Sequence, residues 1–473
     1  MNHNQTASKR LVKNTIIYMV GNIGSKLLQM LILPILTGIL LTEEYGYYDL
    51  IITTINLVTP IVTLQVVEAM FRFLFNGDEK EKRVIISSVS MVLFLGVIIL
   101  AIAIYVTTFI GIDLQYPFLI YLNYVTCIVF DYMQKIARSQ QKNLSIAISG
   151  IINTFVMLSI EVLTLLVFHM RVSGMLLANC ISYLIAALYL EYVLHIEKFF
   201  STRAVSIKKI RDLLKYSLPL VPNSVCWWIV SACDRYVISF FLSVSSNGIY
   251  SIASKFSQLL SMATSVFQMA WQESSIIESD KESRDLFYTN TFNSYIRLLL
   301  GGYIVLLPFI RLIIPYLIAK EYQIGYLYNP LLLLGAVFAA FSQFYGSAYL
   351  VFKKTSGALS TTIIAAIVNV FVGIRLIKHV GLFAPAFGTT LSFFLQWILR
   401  VHQMRDYFKV KLDYKFLTIS GIITIIYFAL YYQEKKSIHI IMFLIGIILF
   451  SIYNIKLINN FIKIVKKRYK KSN

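Results

Sequence analysis

Long apolar segments recur along almost the whole chain, and they limit the folds that it can adopt. A transmembrane helix needs about 20 mostly apolar residues, and fourteen segments meet this requirement. In chain order they are residues 11–41, 47–75, 84–110, 114–136, 144–170, 173–195, 213–242, 248–275, 286–318, 325–352, 357–377, 382–401, 416–432 and 438–455. The sequence therefore predicts an all-α, polytopic membrane protein with about fourteen transmembrane helices.

The composition argues against a water-soluble protein. Hydrophobic residues make up 58% of the 473 residues and charged residues only 14%, which is too little polar surface for a soluble fold. The first apolar segment is too long for a signal peptide and lacks a small-residue cleavage site, so we expect it to remain as the first helix. The connections are short, the longest being residues 197–212, and leave no space for a soluble catalytic domain.

The orientation follows from the basic residues of the loops, which concentrate on the cytoplasmic side. With the N-terminus in the cytoplasm, 31 of the 43 Lys and Arg residues lie on that side and 6 lie opposite. We therefore expect both termini to be cytoplasmic. The net charge of +20 is then mainly a topology signal, and no nucleic-acid partner is predicted.

No motif of the sequence indicates an enzyme, a metal or a cofactor. The cysteines lie in apolar runs, without a C-x-x-C pair or a neighbouring histidine, and the histidines have no H-x-x-x-H spacing. A phosphate-binding G-x-x-x-x-G-K-[ST] loop is also missing. The cysteines are Cys127, Cys180, Cys226 and Cys233, and the histidines are His3, His169, His195, His379, His402 and His439.

An internal repeat divides the chain. Lys13 and Gly46 are 33 residues apart, as are Lys215 and Gly248, and the offset between the two pairs is 202 residues. Transporters often contain such duplicated halves. Six helices separate the two copies, and an even number of membrane crossings gives both copies the same orientation, so the repeats are parallel rather than inverted. We predict two pseudo-symmetric six-helix lobes, residues 1–200 and 201–411, followed by a terminal helix pair and basic tail, residues 412–473.

Charged residues within the helices are candidates for function, because charges inside a bilayer are costly and usually face a cavity or a partner. Two interpretations remain open, substrate binding and structural ion pairing. Arg235, for example, has Asp234 beside it but can instead pair with an acid on another helix. The cations are Lys26, Arg72, Arg235, Lys255, Arg297 and Arg311, and the acids are Glu68, Asp131, Glu161, Asp234 and Glu273.

Polar side chains form stripes on two helices. The stripe on the eighth helix favours a face that lines a water-filled cavity, although small polar residues also join membrane helices together. It contains Ser251, Ser254, Gln258, Ser261, Ser265, Gln268 and Gln272, and the first helix adds Asn22. Pro34 in the first helix, Pro60 in the second, and Pro219 and Pro222 in the seventh predict kinks that can act as hinges.

At the seventh and eighth helices the sequence resembles bacterial polysaccharide flippases of the Wzx type. This family belongs to the multidrug/oligosaccharidyl-lipid/polysaccharide (MOP) exporter superfamily. The likeness rests on residues 218–224 (LPLVPNS), Trp227-Trp228, Asp234-Arg235-Tyr236, 247–253 (NGIYSIA) and 268–274 (QMAWQES), and on the Gly46-Tyr47-Tyr48 turn. It extends over nearly the whole chain.

The resemblance implies two lobes around a central cationic cavity in the bacterial inner membrane. The expected substrate is an undecaprenyl-pyrophosphate-linked oligosaccharide, such as an O-antigen precursor of lipopolysaccharide. The expected partners are membrane lipid and, in addition, a polysaccharide polymerase and a chain-length regulator. Two alternatives remain open: a cation-coupled multidrug exporter of the same superfamily, and a polytopic polymerase or glycosyltransferase.

Overall fold

All regular elements of the described residues are helices. The computed structural model describes residues 28–74, 78–111, 114–278, 283–352, 354–455, 457 and 459, and no strand occurs among them. The α-helices α1 to α18 are Leu33–Ile39, Thr42–Val62, Val66–Leu74, Glu79–Phe109, Pro117–Ser139, Asn143–Leu166, Arg171–Leu194, Ile207–Ser217, Leu220–Ala232, Asp234–Phe241, Val244–Glu278, Arg284–Leu317, Lys320–Gln323, Asn329–Val351, Thr355–Val380, Phe383–Met404, Tyr414–Tyr431 and Lys436–Tyr453. The all-α prediction is confirmed.

The helices are those of a multi-pass membrane protein. Among the described residues, eight helices are long and apolar enough to cross a bilayer, or nine if the bent pair α2 and α3 forms one span. Large apolar side chains lie on the outside of these helices, such as Phe94 on α4, which is 61% exposed, and Tyr105, which is 70% exposed. Lipid tails can cover such side chains. The number of fourteen spans stays a prediction.

The second predicted span is bent sharply. The sequence predicts one helix over residues 47–75, but α2 ends at Val62 and α3 begins at Val66, with axes that differ by 60°. Leu64 and Gln65 adopt left-handed φ values of 49° and 54°, which interrupts the helical hydrogen bonds. Pro60 cannot donate a hydrogen bond to the preceding turn, and this loss weakens the helix just before the bend.

The chain divides into two compact units, Met1–Gly248 and Ile249–Asn473. The larger apolar cluster of the first unit lies among α3, α4, α5, α7 and α8. Its fully buried members include Met70, Ile85, Ile136, Leu190 and Leu213, each 0% exposed. This packing holds α3 and α8 in place.

In the first unit, the two glycines of the sequence repeat lie against each other. Gly46 is four residues into α2 and Gly248 four residues into α11, so the repeat also holds for the helix starts. A Cβ atom on Gly46 would lie 2.8 Å from the backbone nitrogen of Gly248, and one on Gly248 would lie 2.9 Å from the carbonyl carbon of Thr42. Only glycine permits this close approach of two backbones.

Replacing Gly46 by valine should therefore lower the melting temperature. The added side chain meets backbone atoms, which cannot rotate away, and such overpacking costs about 1–3 kcal/mol. Gly150→Val is a matched control, because a Cβ atom added to Gly150 on α6 would meet no other atom within 4 Å. Equal melting temperatures of the two variants would contradict the close-packing interpretation.

Aromatic side chains form the centre of the second unit. The rings of Trp271 and Phe344 stack with centroids 4.0 Å apart, and those of Phe267 and Tyr295 with centroids 3.8 Å apart. The indole nitrogen of Trp271 donates a hydrogen bond of 3.0 Å to the carbonyl oxygen of Phe344. Stacked rings and this hydrogen bond fix α11 against α12 and α14.

Candidate functional site

The first unit contains an open cleft of about 1030 Å³. It lies between α3 and the start of α4 on one side, and the end of α8 and the start of α9 on the other. Its lining residues are Gln65, Glu68, Phe71, Arg72, Phe73, Glu81, Tyr216, Leu220, Asn223 and Ser224. Two residues predicted from the sequence, Glu68 and Arg72, therefore lie in one cavity.

Hydrogen-bonding side chains line the part of the cleft next to the helix bend. Gln65 at the bend donates a hydrogen bond of 2.8 Å from its Nε2 to Ser224 Oγ on α9. Asn223, the residue before Ser224, also lines the cleft. Glu68 forms an ion pair with Lys135 of α5. The bend thus places a side-chain amide and a paired carboxylate at the cleft.

Each aromatic ring of the lining has a cation near its face. The guanidinium of Arg72 lies 5.4 Å from the ring centroid of Tyr216, that of Arg138 lies 5.0 Å from Phe71, and Lys209 Nζ lies 5.3 Å from Phe73. Lys209 also pairs with Glu81 at 2.6 Å. These cation–π contacts place three cations against the aromatic lining, and one of the three, Arg72, itself lines the cleft.

Two cations at the cleft have no carboxylate partner among the described residues: Arg72, which lines it, and Arg138, which contacts Phe71 of the lining. Lys135 and Lys209 pair with the lining carboxylates Glu68 and Glu81, and Asp131 lies close to Lys135 and Glu68. Arginine is suited to phosphate because its planar fork makes two parallel hydrogen bonds. The cleft can therefore accept an anion, and its amides, hydroxyls and rings can contact a polar group attached to that anion.

A second group of charges in the first unit connects α2 with α10. Arg235 Nη1 donates a hydrogen bond of 2.6 Å to Asp234 Oδ1, and Arg235 Nε lies 3.6 Å from Asp49 Oδ2. The three side chains are 12%, 5% and 16% exposed, respectively. Asn247 donates from Nδ2 to Gly46 O at 3.0 Å and contacts Asp49 Oδ2 at 3.4 Å. Arg235 thus contacts the neighbouring acid and also an acid on another helix.

Arg297 of the second unit also has a carboxylate partner. Its Nη2 donates a hydrogen bond of 2.7 Å to Asp413 Oδ2, and its guanidinium lies 5.1 Å from the ring centroid of Phe416. Two hydrogen bonds to the Asp413 carboxyl hold its pKa below its usual range: the larger effect comes from the backbone N–H of Phe416 and the smaller from the Arg297 side chain. Asp413 caps the start of α17, so the ion pair joins α12 to this helix.

The Arg297–Asp413 pair should stabilise the protein near neutral pH and lose its effect in acid. Because the pKa of the Asp413 carboxyl is lower in the folded than in the unfolded state, the stabilisation by this pair is complete above the unfolded pKa of about 3.9. It disappears as the pH falls through the pKa of the folded state. Asp413→Asn retains a capping side chain but removes the charge. We expect the wild type to melt at a higher temperature than this variant, because the pair adds at most about 1 kcal/mol to the free energy of unfolding. The difference in melting temperature should disappear below about pH 4. A gap that is independent of pH would contradict the role of the charge.

The other predicted site residues are distributed along the chain. Gln268 donates from Nε2 to Gln343 O at 2.9 Å and to Ser347 Oγ at 2.7 Å. Lys255 is half-buried, while Gln258 and Gln272 are exposed. On α5 and α6 respectively, Asp131 is half-buried and Glu161 buried. Lys26, Asn22 and the side chain of Glu273 lie outside the described residues.

Several partners were missed by the sequence reasoning. The ring of Tyr216 contacts the guanidinium of Arg72 at the cleft. Asp49 and Asn247 belong to the polar group around Arg235, and Asp413 forms the ion pair with Arg297. The position of Asp413 directly before the apolar residues of α17 is a helix-capping signal and could have identified it. Asp49 follows the Gly46 turn of the repeat, but its pairing with Arg235 has no local signal.

Comparison with known proteins identifies the family. A family model described as "Polysaccharide biosynthesis protein" matches residues 11–272. The probable low-salt glycan biosynthesis flippase Agl15 of Haloferax volcanii is 24% identical over 234 residues, which are 47% of this chain and 48% of that protein. The match to this curated relative therefore spans about half of its length.

Solved structures share the fold over most of the chain. Lipid II flippase MurJ, in an inward closed conformation, superposes with a TM-score of 0.74 at 15% identity, covering 95% of this chain and all of that one. An inward-facing multidrug resistance MATE family transporter of the MOP superfamily gives a TM-score of 0.63 at 11% identity, over 83% of this chain and 95% of that one. The family match covers more than half of the sequence, so the chain belongs to the polysaccharide biosynthesis protein family, and it shares its fold with MurJ and with the MATE transporter.

Proposed function

We propose that the protein is a flippase of the bacterial inner membrane that serves surface polysaccharide biosynthesis. It moves an undecaprenyl-pyrophosphate-linked oligosaccharide, such as an O-antigen precursor, from the cytoplasmic to the periplasmic leaflet. The observation that carries this proposal is the cleft of the first unit, where Arg72 lies over Tyr216 beside the hydrogen-bonding pair Gln65 and Ser224. Family membership and the flippase relative support the same function.

The chemistry of the cleft suits such a substrate. A pyrophosphate is a polyanion, and a guanidinium at the edge of a low-dielectric region attracts it strongly. The sugars that follow carry hydroxyls, which can bond to Asn223 and Ser224, and apolar ring faces, which can lie on Phe71 or Tyr216. The lipid tail remains in the bilayer throughout.

The wider arrangement follows the sequence repeat. In this proposal the lobes are residues 1–200 and 201–411, residues 412–473 form a terminal pair and tail, both termini are cytoplasmic, and the route opens alternately to the two sides. A polymerase and a chain-length regulator act on the translocated product. The proposed route residues are Lys26, Arg72, Arg235, Lys255, Arg297, Asn22, Gln258, Gln268 and Gln272, with Glu68, Asp131, Glu161, Asp234 and Glu273 as charge partners or ion-coupling groups.

Arg72→Ala should strongly reduce translocation in a bacterial strain that lacks its own flippase and makes the matching lipid-linked oligosaccharide. Loss of one charge-assisted contact costs about 1.5–3 kcal/mol of substrate affinity, while the exposed position of Arg72 leaves the melting temperature unchanged. Arg72→Lys retains the charge and should restore part of the activity. The measurement is the amount of oligosaccharide that an external, membrane-impermeant glycosidase can reach.

Arg83→Ala is the matched control, since Arg83 is also exposed, lies on the adjoining helix α4 and is not part of the cleft lining. Equal activity of the Arg72→Ala and Arg83→Ala variants would reject the role of the cleft. Absence of translocation by the wild type, together with export of cationic drugs, would favour the multidrug exporter instead.

A further inference from the structure

The second unit contains a smaller cavity that the proposed transport function does not use. It has a volume of about 210 Å³ and lies between the end of α12 and the connection from α17 to α18. Its lining residues are Arg311, Leu312, Pro315, Tyr316, Glu434, Lys436 and His439. About a fifth as large as the cleft of the first unit, it suits a small headgroup rather than a glycan.

Two cations and a hydroxyl lie at this cavity. The guanidinium of Arg311 stacks on the ring of Tyr326, 3.5 Å from its centroid, and Lys436 Nζ donates a hydrogen bond of 2.8 Å to the Tyr316 hydroxyl oxygen. Glu434 is the one carboxylate of the lining and is exposed. Within the described part of the chain neither cation forms an ion pair with a carboxylate. Their charges are therefore available to an anion.

His439 provides a polar atom that lacks a partner. The residue is only 3% exposed, and its Nε2 lies 2.8 Å from the carbonyl oxygen of Gln433. Because a carbonyl only accepts hydrogen bonds, Nε2 carries the proton and donates it. Nδ1 is then an acceptor in the neutral ring, and it has no hydrogen-bond partner among the described residues. Buried polar atoms are rarely left in this state, so a ligand hydroxyl is a fitting donor.

The position of the cavity matches the headgroup level of a membrane. α12 ends at Leu317 and α18 begins at Lys436, so the cavity lies where apolar helices end. Apolar side chains continue beside it on α18, with Ile440 43% and Ile441 55% exposed. A lipid bound here can place its phosphate at the cations while its acyl chains run along these side chains.

We propose that this cavity binds the phosphoglycerol headgroup of an anionic membrane lipid. The phosphate contacts Arg311 and Lys436, and a glycerol hydroxyl donates to His439 Nδ1. The lipid then joins α12 to α18. This assignment does not depend on the proposed flippase function.

Native mass spectrometry of the full-length protein in detergent, titrated with phosphatidylglycerol, tests the proposal. The exposed Lys436 can be changed to Gln without disturbing the core, and we expect Lys436→Gln to weaken binding of the first lipid about tenfold, the effect of losing one charge-assisted hydrogen bond. Arg311→Gln should do the same, and Arg311→Lys should weaken binding less. Lys320→Gln is the matched control, because Lys320 is exposed and not part of this lining; it should bind as the wild type does.

Two further ligands distinguish the source of the phosphate. Phosphatidylcholine should bind less tightly than phosphatidylglycerol, because its choline lacks the hydroxyls and adds a positive charge. Equal binding of the two lipids, or an equal loss of affinity in Lys320→Gln, would overturn the proposal. Inorganic phosphate that displaces the lipid completely at equal concentration would assign the cavity to free phosphate and reject the lipid. His439→Leu removes the acceptor and should reduce the preference for phosphatidylglycerol over phosphatidic acid, which lacks the headgroup glycerol; an unchanged preference would remove His439 from the site.

Discussion

A disulfide that joins Thr42→Cys to Ser245→Cys is expected to abolish translocation. The hydroxyl oxygens of Thr42 and Ser245 are 2.5 Å apart, next to the close contact of Gly46 with Gly248. Two sulfur atoms can bond in this place, because the side chains already point toward each other. Thr42 and Ser245 lie at the starts of α2 and α11, the end of these helices that the charge pattern predicts to be periplasmic.

The physical reason is the proposed alternating access. A route that opens to the periplasm must separate the helix starts that close it, and the glycine contact leaves no space between the two backbones. A covalent bond at this point holds the closed form.

The experiment requires a background without the native cysteines Cys127, Cys180, Cys226 and Cys233. The double variant should form the disulfide under mild oxidation, lose translocation, and regain it after a reductant. Each single-cysteine variant, treated in the same way, should remain active. Full activity with the disulfide quantitatively formed would show that this contact does not open during transport.

The sequence predicts most of the helices, because the bilayer imposes a simple rule, but residues 213–242, predicted as one helix, are divided among α8, α9 and α10. A span needs a run of apolar residues, and such runs are visible without any tertiary information. The repeat is equally visible, since Gly46 and Gly248 both mark helix starts whose backbones come together. The bend at residues 63–65 is less predictable. Pro60 predicts a kink near this position. The left-handed backbone conformation of Leu64 and Gln65, however, is stabilised by tertiary contacts such as the Gln65–Ser224 hydrogen bond.

Ion pairs between distant parts of the chain are the features that a single sequence does not reveal. Arg297 and Asp413 are 116 residues apart, and Arg235 and Asp49 are farther apart still. The sequence identifies each cation as costly inside a membrane, but not its partner. Arg72 differs from these two, because it lines an open cleft and forms no ion pair with a carboxylate among the described residues. The structure thus suggests different roles for cations that the sequence placed in one group.

Arg235→Gln is expected to destabilise the protein by about 3–5 kcal/mol, the usual cost of removing one partner from a buried ion pair. Asp234 and Asp49 are 5% and 16% exposed, so both carboxylates would lose their compensating charge in a region with little water. Arg235→Lys keeps the charge but not the planar geometry and should retain part of the stability. The measurement is the melting temperature in detergent, together with the amount of folded protein in the membrane.

Combining Arg235→Gln with Asp234→Asn separates the two roles of this arginine. Removing the neighbouring carboxylate should recover part of the stability lost in the single variant, because one stranded charge disappears. If Arg235 also binds the pyrophosphate, the double variant should fold but remain inactive, whereas a purely structural arginine predicts that activity returns with stability. Arg72→Gln is the reference, since its exposed side chain should cost activity and no stability. A variant Arg235→Gln that melts as the wild type does would show that the charges of Asp49 and Asp234 are compensated by other means, and the structural role of Arg235 would have to be abandoned.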